Sequence, residues 1–170
     1  YLIENFKLEV DVYLEPFSEP LKFMSGSEKV QTEFAENKQY DLCFALDSGD
    51  ENRIGAGKQC FKTAAKKICI DHHAANKGYG DENLICPEIS STAEVLTSLM
   101  ENDKISKATA ECLYTGIVHD TGVFQYSNVS PNTLRIAADL LEKKIDASSI
   151  ISNTFVEKTY KQQRILGFAL

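Results

Sequence analysis

Asp71, His72 and His73 stand together directly after the apolar run 68–70, within the stretch 66–80. A carboxylate beside imidazoles offers the oxygen and nitrogen donors that divalent metals take, whereas a packed core accepts such groups only when they are fully paired. Taken alone, the triplet also reads as a surface turn. The chain has 3 histidines, and each of them (His72, His73 and His119) lies beside an aspartate. Asp47, Asp71 and Asp120 each follow an apolar segment. A fold that gathered them would hold several negative charges within a few ångströms, and such repulsion is costly or forces protonation. Divalent cations relieve it, and carboxylates with imidazole suit Mn²⁺ or Mg²⁺ better than thiolate-preferring metals.

The elements that must position these residues follow from hydrophobic pattern. Leu8, Val10, Val12 and Leu14 alternate with polar neighbours, the period of a half-buried or edge strand. A loop is expected over 16–27 and a short helix over 28–36. The run 41–46 is almost continuously apolar, as in a strand buried on both faces of a parallel sheet, and Asp47 stands at its carboxyl end. A helix over 59–65 leads to a strand over 67–70 that ends in Asp71. Ligands of open α/β sheets bind outside the carboxyl ends of the strands, so Asp47 and Asp71 should converge on one crevice.

Another short strand is expected over 84–86. Ser91 and Glu94 then form a capping-box pattern ahead of Val95, Leu96, Leu99 and Met100. Ser90, Ser91 and Thr92 read either as a phosphate-facing helix start or as plain capping, the commoner case. Helices are expected over 105–117, from Ser130-Pro131 to about Lys144, from Asp146 through Phe155, and over 157–170.

At 170 residues with 43% hydrophobic and 25% charged content, the chain suits one domain. No apolar run approaches a membrane span and no signal-peptide pattern opens the sequence, so a cytoplasmic address is expected. The 5 cysteines show no Cys-x-x-Cys spacing and read as reduced. A net charge of -7 argues against gripping long nucleic acid through many phosphates, and an anionic substrate would need a local neutraliser.

Four stretches, taken in order, resemble the later motifs of the DHH phosphoesterases: Leu46-Asp47-Ser48-Gly49-Asp50 with Arg53-Ile54-Gly55, Ile70-Asp71-His72-His73, Ser90-Ser91-Thr92-Ala93-Glu94, and Gly116-Ile117-Val118-His119-Asp120-Thr121-Gly122. The resemblance covers nearly the whole chain and leans towards the branch of bifunctional oligoribonucleases and 3′-phosphoadenosine-5′-phosphate (pAp) phosphatases, the NrnA type. It implies an α/β, Rossmann-like DHH domain with a parallel sheet and helices on both faces. It also implies two Mn²⁺ ions, with Mg²⁺ as the substitute, and a metal-activated water. Asp47 would bridge the ions, His72 and Asp120 would complete the second ion's shell, Asp71 would orient His72, and His73 would face the scissile phosphate. Arg53, Ser90, Ser91 and Thr92 would lie towards the substrate, although Arg53 reads as readily as a surface cation and His119 as a flanking side chain.

The family's earlier motif, His-x-x-Pro-Asp-x-Asp, has no match here. By the resemblance, 1–156 is a DHH domain truncated at both ends. Residues 157–170 then begin a helix towards a further substrate-binding domain, and the metal shell of these residues alone is incomplete and inactive. The implied substrates are short oligoribonucleotides and pAp, without long duplex or membrane, and a homodimer stays open. A cyclic-dinucleotide phosphodiesterase, a family II pyrophosphatase and a non-enzymatic DHH module are the rival readings. Asp47-Ser48-Gly49 and Asp120-Thr121-Gly122 also look like the paired signature of aspartic proteases, but that would require an all-β chain, against the helical pattern from Ser91 onward.

Overall fold

The two apolar runs that end in aspartate become neighbouring parallel strands. In the computed structural model, which describes residues 1–33, 38–156 and 164, strands β3 (Leu42–Leu46), β4 (Lys66–Asp71) and β5 (Glu82–Ile85) form a parallel sheet in that order. Ala45 lies opposite Cys69, and Asp71 opposite Ile85. Parallel neighbours need a crossover, which helix α2 (Lys58–Thr63) provides between β3 and β4. Side chains alternate between the faces of the sheet. Ala45 and Cys69 share the face on which α2 buries Cys60 and Phe61, the Phe61 ring meeting Tyr79 edge-on at 5.6 Å. Phe44, Ile68, Ile70 and Leu84 on the other face line a cavity of about 270 Å³ with Leu99 of helix α3 (Thr92–Leu99). Helices therefore flank the sheet on both sides. Burial on both faces does not extend to β3, where Leu42, Phe44 and Leu46 stay 42%, 37% and 45% exposed. Among the described residues β3 is an edge strand, and α3 covers only part of its face.

The helical second half supplies most of the core. Helices α4 (Lys107–Asp120), α5 (Pro131–Glu142) and α6 (Ala147–Ile151) enclose Ala110, Leu113, Ile117, Val118, Leu140 and Ile150. Ser130 and Thr133 close a reciprocal capping box at the start of α5, with Pro131 as its first residue, and Asp146 caps α6 by accepting from the Ser149 N–H. Helix α4 runs three residues past the expected end, so Asp120 is its last residue rather than part of a following turn. Helix α6 passes into a wide π turn over Ser152–Val156. The helix expected over 157–170 lies outside the described residues apart from Arg164.

The first third departs most from expectation. Helix α1 (Leu2–Phe6) is tied to α4 through Glu4, which accepts from Ser106 and Thr109. Only β1 (Val12–Tyr13) of the expected strand forms, paired in parallel with β2 (Val30–Gln31), and Leu8, Val10, Val12 and Leu14 remain exposed. Where a helix was expected from Glu28, the chain makes one 3-10 turn (Ser27–Lys29) and then β2; residues 34–37 lie outside the described set. Asp11 secures this segment by accepting from Lys38, Tyr40 and Gln31. Among the described residues, no helix is long and apolar enough to cross a membrane.

Candidate metal centre

Asp47 leaves β3 with φ at 55°, a left-handed conformation that aspartate tolerates better than most residues, and the Thr92 hydroxyl donates to its Oδ1 at 2.9 Å. One strand over, β4 ends in Asp71, and His72 and His73 follow. His72 Nε2 lies 3.5 Å from Asp47 Oδ1 and 3.7 Å from Asp120 Oδ2, while His73 Nδ1 lies 3.8 Å from Asp47 Oδ1. Two strand ends and the end of α4 thus converge. Among the described residues, Asp47, His72 and His73 can each offer a ligand atom, all within 4.8 Å of one another, and Asp120 borders them.

Asp71 does not orient the His72 ring. Its Oδ1 accepts from the His73 ring at 2.7 Å and from the backbone N–H groups of His72 (2.8 Å) and His73 (3.3 Å), and its Oδ2 accepts from the Asn76 amide at 2.6 Å. Strand β4 ends at Asp71, and past that end the Asp71 carboxylate gathers the His73 ring, while the His72 ring, 4.8 Å from that of His73, turns its Nδ1 to the main chain. His72 is held instead by the Ile89 carbonyl, 3.3 Å from Nδ1. A carbonyl can only accept, so Nδ1 carries the proton and Nε2 is turned towards the two aspartates.

The electrostatics favour a cation. Burial pushes the Asp120 carboxyl above the usual carboxylate range and the Asp47 charge adds to it, only partly offset by the three histidines. Burial also works against the Asp71 carboxylate, but the donors from Asn76, His73 and the backbone more than offset it, and the net shift is downward. The hydrogen bond to Asp71 raises the His73 imidazole above its ordinary value, burial opposes this, and the charges of Asp71 and Asp47 reinforce it. Carboxylate oxygens facing an available imidazole nitrogen, with carboxylate repulsion to be relieved, fit a divalent ion.

The expected substrate hydroxyls turn inward. Ser90 and Ser91 are 1% and 0% exposed; Ser90 donates to Glu94 at 2.5 Å, and Ser91 caps α3 by accepting from the Glu94 N–H. With Thr92 committed to Asp47, these three side chains support the site instead of lining it. Arg53 sits on the 3-10 turn after the Asp50 cap, and its charge opposes protonation of His73, so it borders the site. His119 is exposed and stacks edge-on against Phe155 at 6.0 Å, a flanking position. Three supporting residues escaped the sequence reading: Asn76, Tyr79, whose hydroxyl donates to the Ser48 carbonyl at 2.7 Å, and Asn128. Asp71, at the end of an apolar strand, needs donors for both carboxylate oxygens, and Asn76 five residues on is the signal that could have directed attention there.

The family model for the N-terminal domain of the DHH family matches residues 2–117. The chain belongs to the DHH family. Its DHH motif is Asp71-His72-His73, and Asp120 lies just beyond the matched stretch. The chain is 28% identical over 156 residues to the bifunctional oligoribonuclease and PAP phosphatase NrnA of Bacillus subtilis, covering 88% of this chain and 48% of that protein. It is 34% identical over 100 residues to the NrnA of Thermus thermophilus, covering 57% and 29%. The crystal structure of an exopolyphosphatase-related protein from Bacteroides fragilis superposes with a TM-score of 0.82 at 29% identity, over 94% of this chain and 51% of that one. The DHH chain thus spans about half the length of the B. subtilis relative. Phosphoesterase chemistry and dependence on metal go with this family.

Proposed function

We propose that these residues form the metal-binding part of a cytoplasmic, Mn²⁺-dependent phosphoesterase that hydrolyses short oligoribonucleotides and pAp. The observation that carries the reading is the meeting of Asp47, His72 and Asp120, with His72 Nε2 within 3.7 Å of both carboxylates. Relatives named bifunctional oligoribonuclease and PAP phosphatase support the substrate class. Asp47, His72 and Asp120 would hold the ion or ions, with Mg²⁺ as a weaker substitute. Bound there, divalent cations neutralise phosphoryl charge and supply a water of lowered pKa. The Ile89 carbonyl keeps the His72 proton on Nδ1 and leaves Nε2 for ligation. The hydrogen bond from His73 Nδ1 to Asp71 favours the protonated imidazole, whose Nε2–H would then serve phosphoryl oxygen or the leaving group. Arg53 offers a rim cation to a second phosphate, as in pAp. A net charge of -7 suits a short substrate neutralised at one point. Five free cysteines agree with a reducing cytoplasm.

The test is Mn²⁺-dependent phosphate release from pAp and mononucleotide release from a labelled trinucleotide by the gene product that carries these residues. His72→Ala should lower both rates by about 100-fold or more, the scale on which loss of a charge-stabilising group acts. Unchanged rates would refute the assignment, and turnover of a cyclic dinucleotide alone would replace the substrate.

A further inference from the structure

Glu94 is 2% exposed, and its carboxylate does not complete the capping box expected for it. It leaves its own helix instead. Its Oε2 accepts from the hydroxyls of Ser90 at 2.5 Å and Thr133 at 2.8 Å, and its Oε1 from the Asn132 amide at 3.1 Å. These donors, together with the positive N-terminal ends of α3 and α5, stabilise a buried carboxylate. The Ser90 end of this network adjoins contacts to Asp47, His72 and Asp120. The neighbouring Ile89 carbonyl holds His72 Nδ1 at 3.3 Å. The Ser90 carbonyl accepts from Asn128 Nδ2 at 3.0 Å, and the same nitrogen donates to the Asp120 carbonyl at 3.1 Å. Two residues on, the Thr92 hydroxyl reaches Asp47 at 2.9 Å.

We infer that Glu94 is a positioning residue for the metal centre: by holding Ser90 it fixes the 89–92 loop, and that loop sets Asp47, His72 and Asp120 relative to one another. The consequence for metal affinity rests on the function proposed above; the geometric statement does not. A Glu94 that served only to join α3 to α5 would govern stability and leave the His72 ring unaffected.

Water exchange of the His72 Nδ1 proton, followed by NMR on the metal-free chain, separates the two. The wild-type chain should show a protected ring proton. Glu94→Leu and Ser90→Ala should speed its exchange by about 10-fold or more, since the hydrogen bond is then formed only part of the time. Glu94→Gln, whose amide oxygen still accepts from both hydroxyls, should keep exchange within about 3-fold of wild type. Mn²⁺ affinity, measured by electron paramagnetic resonance on the same proteins, should fall about 10-fold in the first two variants, the scale for partners that orient a ligand. Should Glu94→Leu fail to fold by circular dichroism, Ser90→Ala decides, because it removes a single hydroxyl. An unprotected Nδ1 proton in the wild type, or unaltered exchange in Ser90→Ala, would overturn the inference. A protected proton in a wild-type chain that binds no Mn²⁺ would leave the positioning intact and remove the metal reading.

Discussion

Asp71 has no exposed surface, and four donors sustain its charge. That pairing makes the site's stability depend on pH at both ends. The folded Asp71 carboxyl titrates below its ordinary value of 3.8, so it contributes stability that is present above that value and lost as pH falls through the lowered one. His73 titrates above its ordinary value of 6.5, so its contribution is complete below that value and lost as pH rises through the raised one. Melting temperatures recorded against pH in chelator should therefore decline at both ends. Asp71→Asn should flatten both limbs, since the hydrogen bond to Asp71 is the main cause of the raised His73 value, and His73→Ala should flatten the alkaline limb, each with lower stability in between. Limbs that keep their slopes in these variants would show that the pair does not form. The identities at this point, Asp71, His72 and His73, were legible in sequence because polar residues at the end of an apolar strand stand out. Their pairing was not, since the resemblance implied Asp71 with His72, and the path of the chain past the strand end, which brings the His73 ring to Asp71, leaves no mark in the residue types.

The elements that carry the site were legible for a related reason. The apolar runs bounded by Asp47 and Asp71 pair as neighbouring parallel strands, although only β4 buries its end as expected, and parallel order puts both aspartates at the same edge. The pattern at 8–14 misled, because alternation says that one face could be buried and not whether a neighbour lies there to bury it. Helix α4 continues past the expected end at 117 through Asp120, and it is stopped by Thr121 and Gly122. The Thr121 hydroxyl donates back to the Ile117 carbonyl at 2.6 Å and accepts from the Phe124 N–H at 3.1 Å. Gly122 has φ at 54°, and a Cβ there would stand 2.4 Å from the Tyr126 ring. Gly122→Ala should therefore cost about 1–3 kcal/mol of stability, measured by denaturant titration, and shift the Asp120 carboxylate with the turn. A neutral result would mean that the Tyr126 ring yields freely and that the turn does not fix Asp120.

At the scale of the molecule, a parallel sheet and a helical core meet along the line where their ends deliver charge. Neither half holds the site alone: β3 and β4 supply Asp47 and His72, while α4 supplies Asp120 from the other side of the 89–92 loop. The chain is acidic overall, with a net charge of -7, and Asp47, Asp71 and Asp120 meet at this one place. Burial and the Asp47 charge raise the Asp120 carboxyl, and a cation held between the two carboxylates would relieve that repulsion. The most direct measurement is an anomalous difference map from crystals soaked in Mn²⁺, recorded at the manganese edge. The expected result is a peak enclosed by Asp47, His72 and Asp120 that disappears in Asp47→Asn. No peak there, or a peak bound elsewhere and indifferent to Asp47→Asn, would contradict the assignment of this cluster as the metal centre.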